Sequence, residues 1–379
     1  MARLEVVALE GRCGLKPFLE LPRRIYRDDP NWVAPLQLER RLHLDPRRNP
    51  FWRGIEIRYF LAYRDGVPVG RISAQINRRH LEHHGDSTGH FGFLEAEDCP
   101  ELFAALLGAA EGWLKERGMR RIAGPFNPSI NDECGLLVAG FDRPPSVMMG
   151  HARPYYRLRL EELGYRKRKD LIAYDFDVAG DWPERARRLI ERARRAHGVR
   201  VRPLDMRRYR EELLLVCDIF NDAWRDNWGF VPFDEQEALY LGRTIRPFVD
   251  AGCFAIGEVE GEAAAMAVTL PNLNEALRDL DGRLLPFGWW KLLWRLKVRG
   301  VRSWRMPLMG VRKRYQGTPK GAALALGVIA AAKEYHRGRG VERAELSWVL
   351  EDNRPTRELI EAVGGIPYKT YRIYGKELG

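Results

Sequence analysis

The chain has 379 residues, 45% of them hydrophobic and 11% aromatic, with 63 Lys and Arg against 52 Asp and Glu for a formal net charge of +11 at pH 7. This is too rich in core-forming side chains for a disordered chain and long enough for about two ordinary domains, and the longest apolar run, residues 322–332, is well short of the ~20 residues that span a bilayer. Five cysteines (Cys13, Cys99, Cys134, Cys217 and Cys253) lie too far apart for CxxC redox pairs, zinc ribbons or a disulfide scaffold, and the N-terminal MARLEVVALEGR has no apolar signal core, so a reduced, cytoplasmic enzyme is expected.

In chain order, helical segments are expected over 16–37. RYFLAYRDGVPVGRISAQIN (58–77) alternates polar and apolar residues on both sides of Asp65-Gly66, the pattern of a hairpin. An acidic loop, GFLEAEDCPELF (92–103), leads into an amphipathic helix over 100–118 that stops at a glycine, followed by a strand over 119–126. The stretch GPFNPSINDECGLLVAGFDRPPSVMMGHARPYY (124–156) then crowds Asn127, Ser129, Asn131, Asp132 and Glu133 directly behind that strand. Loops at strand ends on a rigid scaffold commonly carry function, and an acid such as Asp132 or Glu133 can take the proton from a nucleophilic amine. The same residues also suit an Asx turn in a solvated loop, and His151 suits either a base or a satisfied loop histidine. A short helix and a hairpin are expected over 157–178, and a linker near 177–188. The Arg-rich 185–202 reads as a soluble helix face or as a surface for a polyanion: cofactor phosphates, an anionic membrane or nucleic acid.

The second half repeats this order. Helices are expected over 207–250, a hairpin over 253–274 around Glu260-Gly261, a helix over 320–340, a strand over 341–350, and a helix with a terminal hairpin over 356–378. Gly66 and Gly261 are 195 residues apart, Gly118 and Gly340 are 222 apart, and Gly164 and Gly364 are 200 apart. Two copies of one unit explain these spacings, one over 1–180 with an extra loop at 128–150, the other over 181–379 with an insertion at 275–303. In each, the strands flanking the long helix are expected to be parallel neighbours. The insertion sets Trp289, Trp290 and Trp294 with leucines beside Lys291, Arg295 and Lys297. It is too short and too charged to span a membrane. Its readings are a helix packed inward, a lid over an acyl tunnel, or an interfacial segment. No helix-turn-helix, RRM or zinc-finger pattern accompanies it, so no nucleic acid is expected.

This order, together with VRKRYQGTPKGAALALG (311–327), resembles the GNAT acyltransferase superfamily. Val311, Tyr315, Gln316, Gly317, Gly321 and Leu324 fall on its strand-loop-helix signature. Asn353 matches an Asn common after the next strand, and Leu359, Glu361, Gly364 and Gly365 match the helix beyond it and that helix's end. Independently of the name, glycines let backbone N–H groups approach phosphate oxygens at a helix N-terminus. The resemblance implies an α+β fold, a mixed sheet with flanking helices, in two tandem GNAT-like units. It implies that acyl-CoA, as co-substrate, is held by Val311, Gln316, Gly317, Thr318, Lys320, Gly321 and Asn353. Two residues depart from the pattern: Pro319 replaces a glycine whose N–H would face phosphate, and Ile360 replaces a tyrosine that acts as general acid. The first copy's loop at 92–103 is acidic and lacks those glycines, so it is not expected to bind the cofactor in the same way.

The 124–156 stretch is similar to a signature of a bacterial family of tandem GNAT-like proteins of about this length, some linked to N-acylation of sphingoid bases. The implied reaction is direct acyl transfer from the thioester to a small-molecule or lipid amine in a cleft between the copies, with Asn131, Asp132 and Glu133 in catalysis. No metal is expected, since the histidines lack ligand spacing. The implied location is cytoplasmic, with peripheral contact at the inner membrane surface. Two alternatives stay open: tRNA-dependent aminoacyl transfer, which the net charge suits, and a non-catalytic lipid-binding protein on a decayed fold, which Pro319 and Ile360 suit.

Overall fold

The computed structural model describes residues 3–9 and 14–379, so Cys13 lies outside the described residues, as does the side chain of Lys297. By contacts the chain forms two units, each discontinuous in sequence. One comprises Met1–Leu171, Leu277–Leu284 and Lys369–Gly379, the other Ile172–Ala276 and Leu285–Tyr368.

The first unit runs β1 (Leu4–Ala8), α1 (Leu15–Ile25), α2 (Gln37–His43), β2 (Ile55–Arg64), β3 (Val67–Asn77), α3 (Arg78–His84), β4 (Thr88–Ala96), α4 (Pro100–Lys115), β5 (Arg121–Gly124), β6 (Phe126–Asn127), β7 (Glu133–Cys134), β8 (Leu136–Ala139), α5 (Tyr155–Glu162) and the start of β9 (Arg166–Asp177). The β2–β3 hairpin closes at Asp65-Gly66, both at positive φ (+49° and +79°), the turn whose twist matches paired strands. Strands β1 to β4 are antiparallel, and β4 and β5 are parallel across α4 as expected. Residues 374–377 close the sheet against β5, and 370–372 pair with β8. These backbone bonds are why the chain's last residues belong with its first.

Successive residues of β3 fix the layers, because strand side chains alternate between faces. Gly70 lies beneath Leu102 and Leu106 of α4, while Arg71 reaches the Phe18 carbonyl of α1 at 2.6 Å. Helix α4 buries Leu102, Phe103, Leu106, Leu107, Ala110 and Leu114 on one face. Each fully buried large side chain there contributes about 2 kcal/mol. Of the helical segments expected over 16–37, α1 alone lies there, and α2 begins only at Gln37; Pro30 and Pro35 fall in the non-helical stretch between them.

The second unit continues β9 and runs α6 (Glu184–Arg194), β10 (Val199–Pro203), α7 (Tyr209–Trp224), α8 (Glu235–Ile245), β11 (Phe254–Val259), β12 (Glu262–Pro271), α9 (Leu273–Leu277), α10 (Gly288–Trp294), β13 (Ser303–Val311), α11 (Pro319–Arg337), β14 (Arg343–Leu350), α12 (Arg354–Ala362) and the start of β15 (Ile366–Glu377). The β11–β12 hairpin turns at Glu260-Gly261, again both at positive φ. Strands β10 to β13 are antiparallel, and β13 and β14 are parallel across α11. The same alternation sets the layers. Gly257 faces Leu324 and Val328 of α11, whereas Met266 and Gly310 face Ala223 and Trp224 of α7. The core gathers Leu324, Val328 and Ile329 of α11 with Ala186, Ile190 and Ala193 of α6.

Further expectations change. The two segments read as hairpins near 165–178 and 366–378 are single twelve-residue strands, β9 and β15. Residues 166–177 contain no glycine, proline or asparagine to turn the chain. The Arg-rich 185–202 is helical only to Arg194, and after a turn at Gly198 (φ +75°) it becomes the edge strand β10.

Candidate active site

In the first unit the polar loop is a small excursion on a β-ribbon, with Asn127 paired to Glu133 and Phe126 to Cys134. It is clamped from the sheet. The Gln75 amide donates to the Phe126 and Pro128 carbonyls at 2.9 and 2.5 Å, and the Phe93 N–H donates to Asn127 Oδ1 at 2.6 Å. A Cβ on Gly92 would lie 1.8 Å from the Phe126 carbonyl oxygen, so loop backbone packs directly on β4 just past the end of its pairing with β5. Inside the loop, Ser129 Oγ donates to Asp132 at 3.2 Å and accepts from the Asn131 N–H at 3.1 Å.

Helix α2 presents Arg40 and His43, three residues apart on one face, to the two acids. Arg40 forms an ion pair with Glu133, and His43 Nε2 stands 3.7 Å from Asp132 Oδ1. All four side chains are about four-fifths buried. Burial pushes the Asp132 carboxyl up to about 6, against smaller opposing effects of His43 and the Ser129 hydroxyl. Burial also acts upward on Glu133, but Arg40, by charge and hydrogen bond, holds it below the usual carboxylate range. Burial lowers His43, leaving it a neutral imidazole at pH 7, and its Nε2 has no hydrogen-bond partner among the described residues. The two acids therefore separate in role. Glu133 is a committed anion bound to Arg40, while Asp132 titrates near neutrality, where a general base works well.

A second polar centre lies in the same unit. His151 Nε2 bonds Asp29 Oδ2 at 2.9 Å, and Arg153 is 3.5 Å from the same oxygen. The imidazole packs edge-on to Tyr26, whose hydroxyl donates to Glu95 at 2.6 Å. Burial would raise Asp29, but the His151 and Asn31 hydrogen bonds bring it below its ordinary value, while burial lowers His151. The histidine is thus held on one nitrogen, and its buried Nδ1 has no partner among the described residues.

In the second unit, β13 and β14 pair only from Ser303/Arg343 to Met306/Leu346, and β13 runs on unpaired with β14 to Val311. The chain then turns through Tyr315–Thr318 into α11. Gly317 takes φ +72° with open space around it. Thr318 caps the helix, accepting from the Gly321 N–H at 3.1 Å and donating to the Tyr315 carbonyl at 2.6 Å. A Cβ at Gly321 would sit 2.0 Å from the Tyr315 carbonyl oxygen. Gln316 points back, donating to the Val311 and Ala223 carbonyls at 2.8 and 3.2 Å, and Lys320 pairs with Glu260 at 3.0 Å. Val311 is a strand residue paired to Ala265, and Asn353 caps α12 through the Thr356 N–H. Most residues expected to hold a cofactor therefore build the loop, and Gly317 and the α11 N-terminus are what it offers outward. Beside its entrance a cavity of about 770 Å³ is lined by Arg225, Arg312, Lys313 and Arg314 with Asp222 and Glu262. Ile360 is buried in the core. Among the described residues, no group of His, Cys, Asp and Glu is arranged to hold a metal ion, and no helix is long and apolar enough to cross a membrane.

The sequence singles out Asp132 and Glu133 as candidates but not Arg40 and His43, which the structure sets against them, nor Asp29, which it sets against His151. The spacing of Arg40 and His43 on a short helix was the available signal, and nothing local tied either to an acid some 90 residues on.

No family model matches the chain. It is 48% identical over 378 residues to the bacterial ceramide synthase of Caulobacter vibrioides (strain NA1000 / CB15N), covering 100% of this chain and 98% of that protein. It is 44% identical to protein YghO of Escherichia coli (strain K12), covering 96% and 93%. Among solved structures it resembles a tandem GNAT protein from the clavulanic acid biosynthesis pathway, with a TM-score of 0.59 over 100% of this chain and 99% of that one, at 13% identity. The last likeness establishes the fold alone. The long relatives establish more: the chain belongs to the family of tandem GNAT-type acyltransferases that includes the bacterial ceramide synthase.

Proposed function

We propose that this protein moves a long acyl chain from coenzyme A to the amino group of a long-chain lipid base, with Asp132 as proton acceptor. The carrying observation is the Asp132 carboxyl, buried beside neutral His43 and shifted to about 6. In this reading the amine nitrogen attacks the thioester carbonyl carbon, the C–N bond forms, the C–S bond breaks, and coenzyme A leaves as thiolate. An acceptor arriving as ammonium first gives one proton through Asp132 to water, which frees the nitrogen lone pair; after attack a second N–H proton leaves through Asp132 to the thiolate, giving the amide and the free thiol of coenzyme A. Glu133, fixed by Arg40, supplies negative charge near the incoming ammonium. Asn131 belongs to the turn that aims Asp132.

We take the sequence stretches 1–180 and 181–379 as copies of one fold, although residues 277–284 and 369–379 of the second stretch pack with the first unit, and assign the donor to the second unit. Gly317 and the N-terminus of α11 suit a pyrophosphate, and the cations around the adjoining cavity suit its further charge. Pro319 withholds one N–H, which leaves the neighbouring Lys320 ammonium as a compensating contact. In the first unit the corresponding gap beside β4 is filled by Phe126–Pro128 backbone, which supports a donor site in the second unit only. The lipid acceptor rests on the relative's name, since a ceramide is an N-acylated long-chain amino base. It fits a cytoplasmic enzyme that works peripherally at the inner membrane surface.

The test is incubation of the purified protein with acyl-CoAs of two to eighteen carbons and a long-chain amino alcohol, following thiol release and amide mass. Amide from long-chain donors is the expected product. Thiol release only with a short-chain donor and a soluble amine would replace the lipid reading with plain acetylation.

A further inference from the structure

Elsewhere among the described residues, exposed large apolar side chains are scattered singly, as at Leu38, Leu158 and Ile366, but one group is contiguous. Phe287, Trp289, Trp290, Leu293, Trp294 and Val298 are between 46% and 74% exposed, and Leu285 is 80% exposed. All seven lie within fourteen residues of α10 and its flanks. Scattered exposed apolar residues are ordinary, but a contiguous group of this kind marks a contact surface.

Helix geometry makes the group one surface. At 100° per residue, Trp289, Leu293, Trp290 and Trp294 fall in that angular order within an arc of about 140°. Trp289 and Trp290 pack edge to face at 5.8 Å. Leu292, outside the arc, is half-buried, and the exposed Lys291 borders the arc. The segment is anchored at its end by Arg295, whose guanidinium donates to the Ala276 carbonyl at 2.7 Å. The rings are therefore presented outward by a held element.

Charge selects the occupant. From Gly282 to Val301 the sequence has five cations (Arg283, Lys291, Arg295, Lys297 and Arg299) and no carboxylate, whereas Arg302 beyond them is paired with Glu342 at 3.0 Å. Tryptophan at half depth with lysine and arginine beside it is the composition of a segment lying in a lipid interface. Acidic lipid headgroups supply the opposite charge at the same surface as the apolar phase. We propose that α10 and its flanks are a docking surface for an anionic lipid bilayer, into which Trp290, Leu293 and Trp294 insert. The proposal rests on the lipid-acceptor reading for its purpose: an amine with a long hydrocarbon tail stays in the bilayer, so the enzyme must come to it.

The experiment is flotation of the full-length protein with phosphatidylglycerol-containing vesicles and with phosphatidylcholine vesicles, at low and high salt. The parent is compared with Trp290→Ser/Trp294→Ser and with Lys291→Glu. We expect the parent to float with the anionic vesicles, less so at high salt. The double substitution should lose binding by about a hundred-fold, and Lys291→Glu by about ten-fold. All three should melt alike, because the altered side chains face solvent. Failure of the parent to float at low salt, or equal flotation by parent and double variant, overturns the proposal. A parent that is dimeric by light scattering and does not float, with a monomeric double variant, overturns it in favour of a second copy of this chain. Turnover on amine dispersed in detergent micelles is measured alongside. Its loss in the parent counts against the chemistry and leaves the flotation result standing, whereas its survival without flotation counts against the docking surface alone.

Discussion

Asp132 and Glu133 are adjacent in sequence and equally buried, yet their carboxyls shift in opposite directions because only one has a guanidinium in ion-pair contact. The shift of Asp132 has a definite sign. Its value in the folded protein lies above the unfolded 3.8, so its favourable contribution is complete below pH 3.8 and is lost as pH rises through about 6. Above that, the buried charge costs up to about 3 kcal/mol. Asp132→Asn should therefore raise the melting temperature at pH 7.5 by several degrees, and the gain should vanish near pH 4. The same change should lower kcat at least ~100-fold. In the parent, kcat/KM should rise through pH 6, and an unchanged acidic limb in the Asn variant would assign that limb to another group. For the Arg40–Glu133 pair the expectation is opposite. Arg40→Met strands a carboxylate and should cost about 3 kcal/mol in urea unfolding, and adding Glu133→Leu should recover most of it. A double-mutant cycle measures the coupling.

At the level of elements, α11 and its entry turn carry the donor assignment. Gly321→Ala already puts a methyl against the Tyr315 carbonyl, and Gly321→Glu adds charge where phosphate is proposed to sit. Coenzyme A at millimolar concentration should raise the melting temperature of the parent and leave Gly321→Glu unmoved; a shift retained in that variant would place the ligand elsewhere. Thr318→Val should cost about 1 kcal/mol through the lost cap. How much of each element is legible in the sequence depends on range. The hairpins at Asp65-Gly66 and Glu260-Gly261 and the helices ending near Gly118 and Gly340 were legible, because each is encoded by a few neighbouring residues. Strands β9 and β15 were misread, because alternation tells a strand from a helix but not one long strand from two short ones. The loop at 127–133 stood out by its polarity alone. Its partners Arg40, His43 and Gln75 did not, since what joins them is sheet order and not spacing.

On the scale of the whole molecule, the net charge of +11 is not pooled at one site. Much of it is balanced locally, as in Arg372 with Asp170 or Arg202 with Glu212 and Glu258, and the long run without carboxylates, 282–333, takes in both α10 and the entry to α11. The division into units has its own consequence. The sheet that begins at β1 is completed by residues 370–377, which satisfy the edges of β5 and β8. On the ribosome, then, the first unit to emerge is the last to be finished, and β5 waits with an open edge while some 240 residues are made. Removing residues 369–379 should leave that edge permanently open. The shortened protein is expected in the insoluble fraction, and supplying the eleven missing residues as a separate peptide during refolding should restore solubility. If the shortened chain is instead soluble and melts like the parent, the terminal strand is dispensable. Otherwise, for this protein, the first unit cannot close until residues 370–377 have left the ribosome, and any nascent chain stalled short of Lys369 is a substrate for chaperones or proteases.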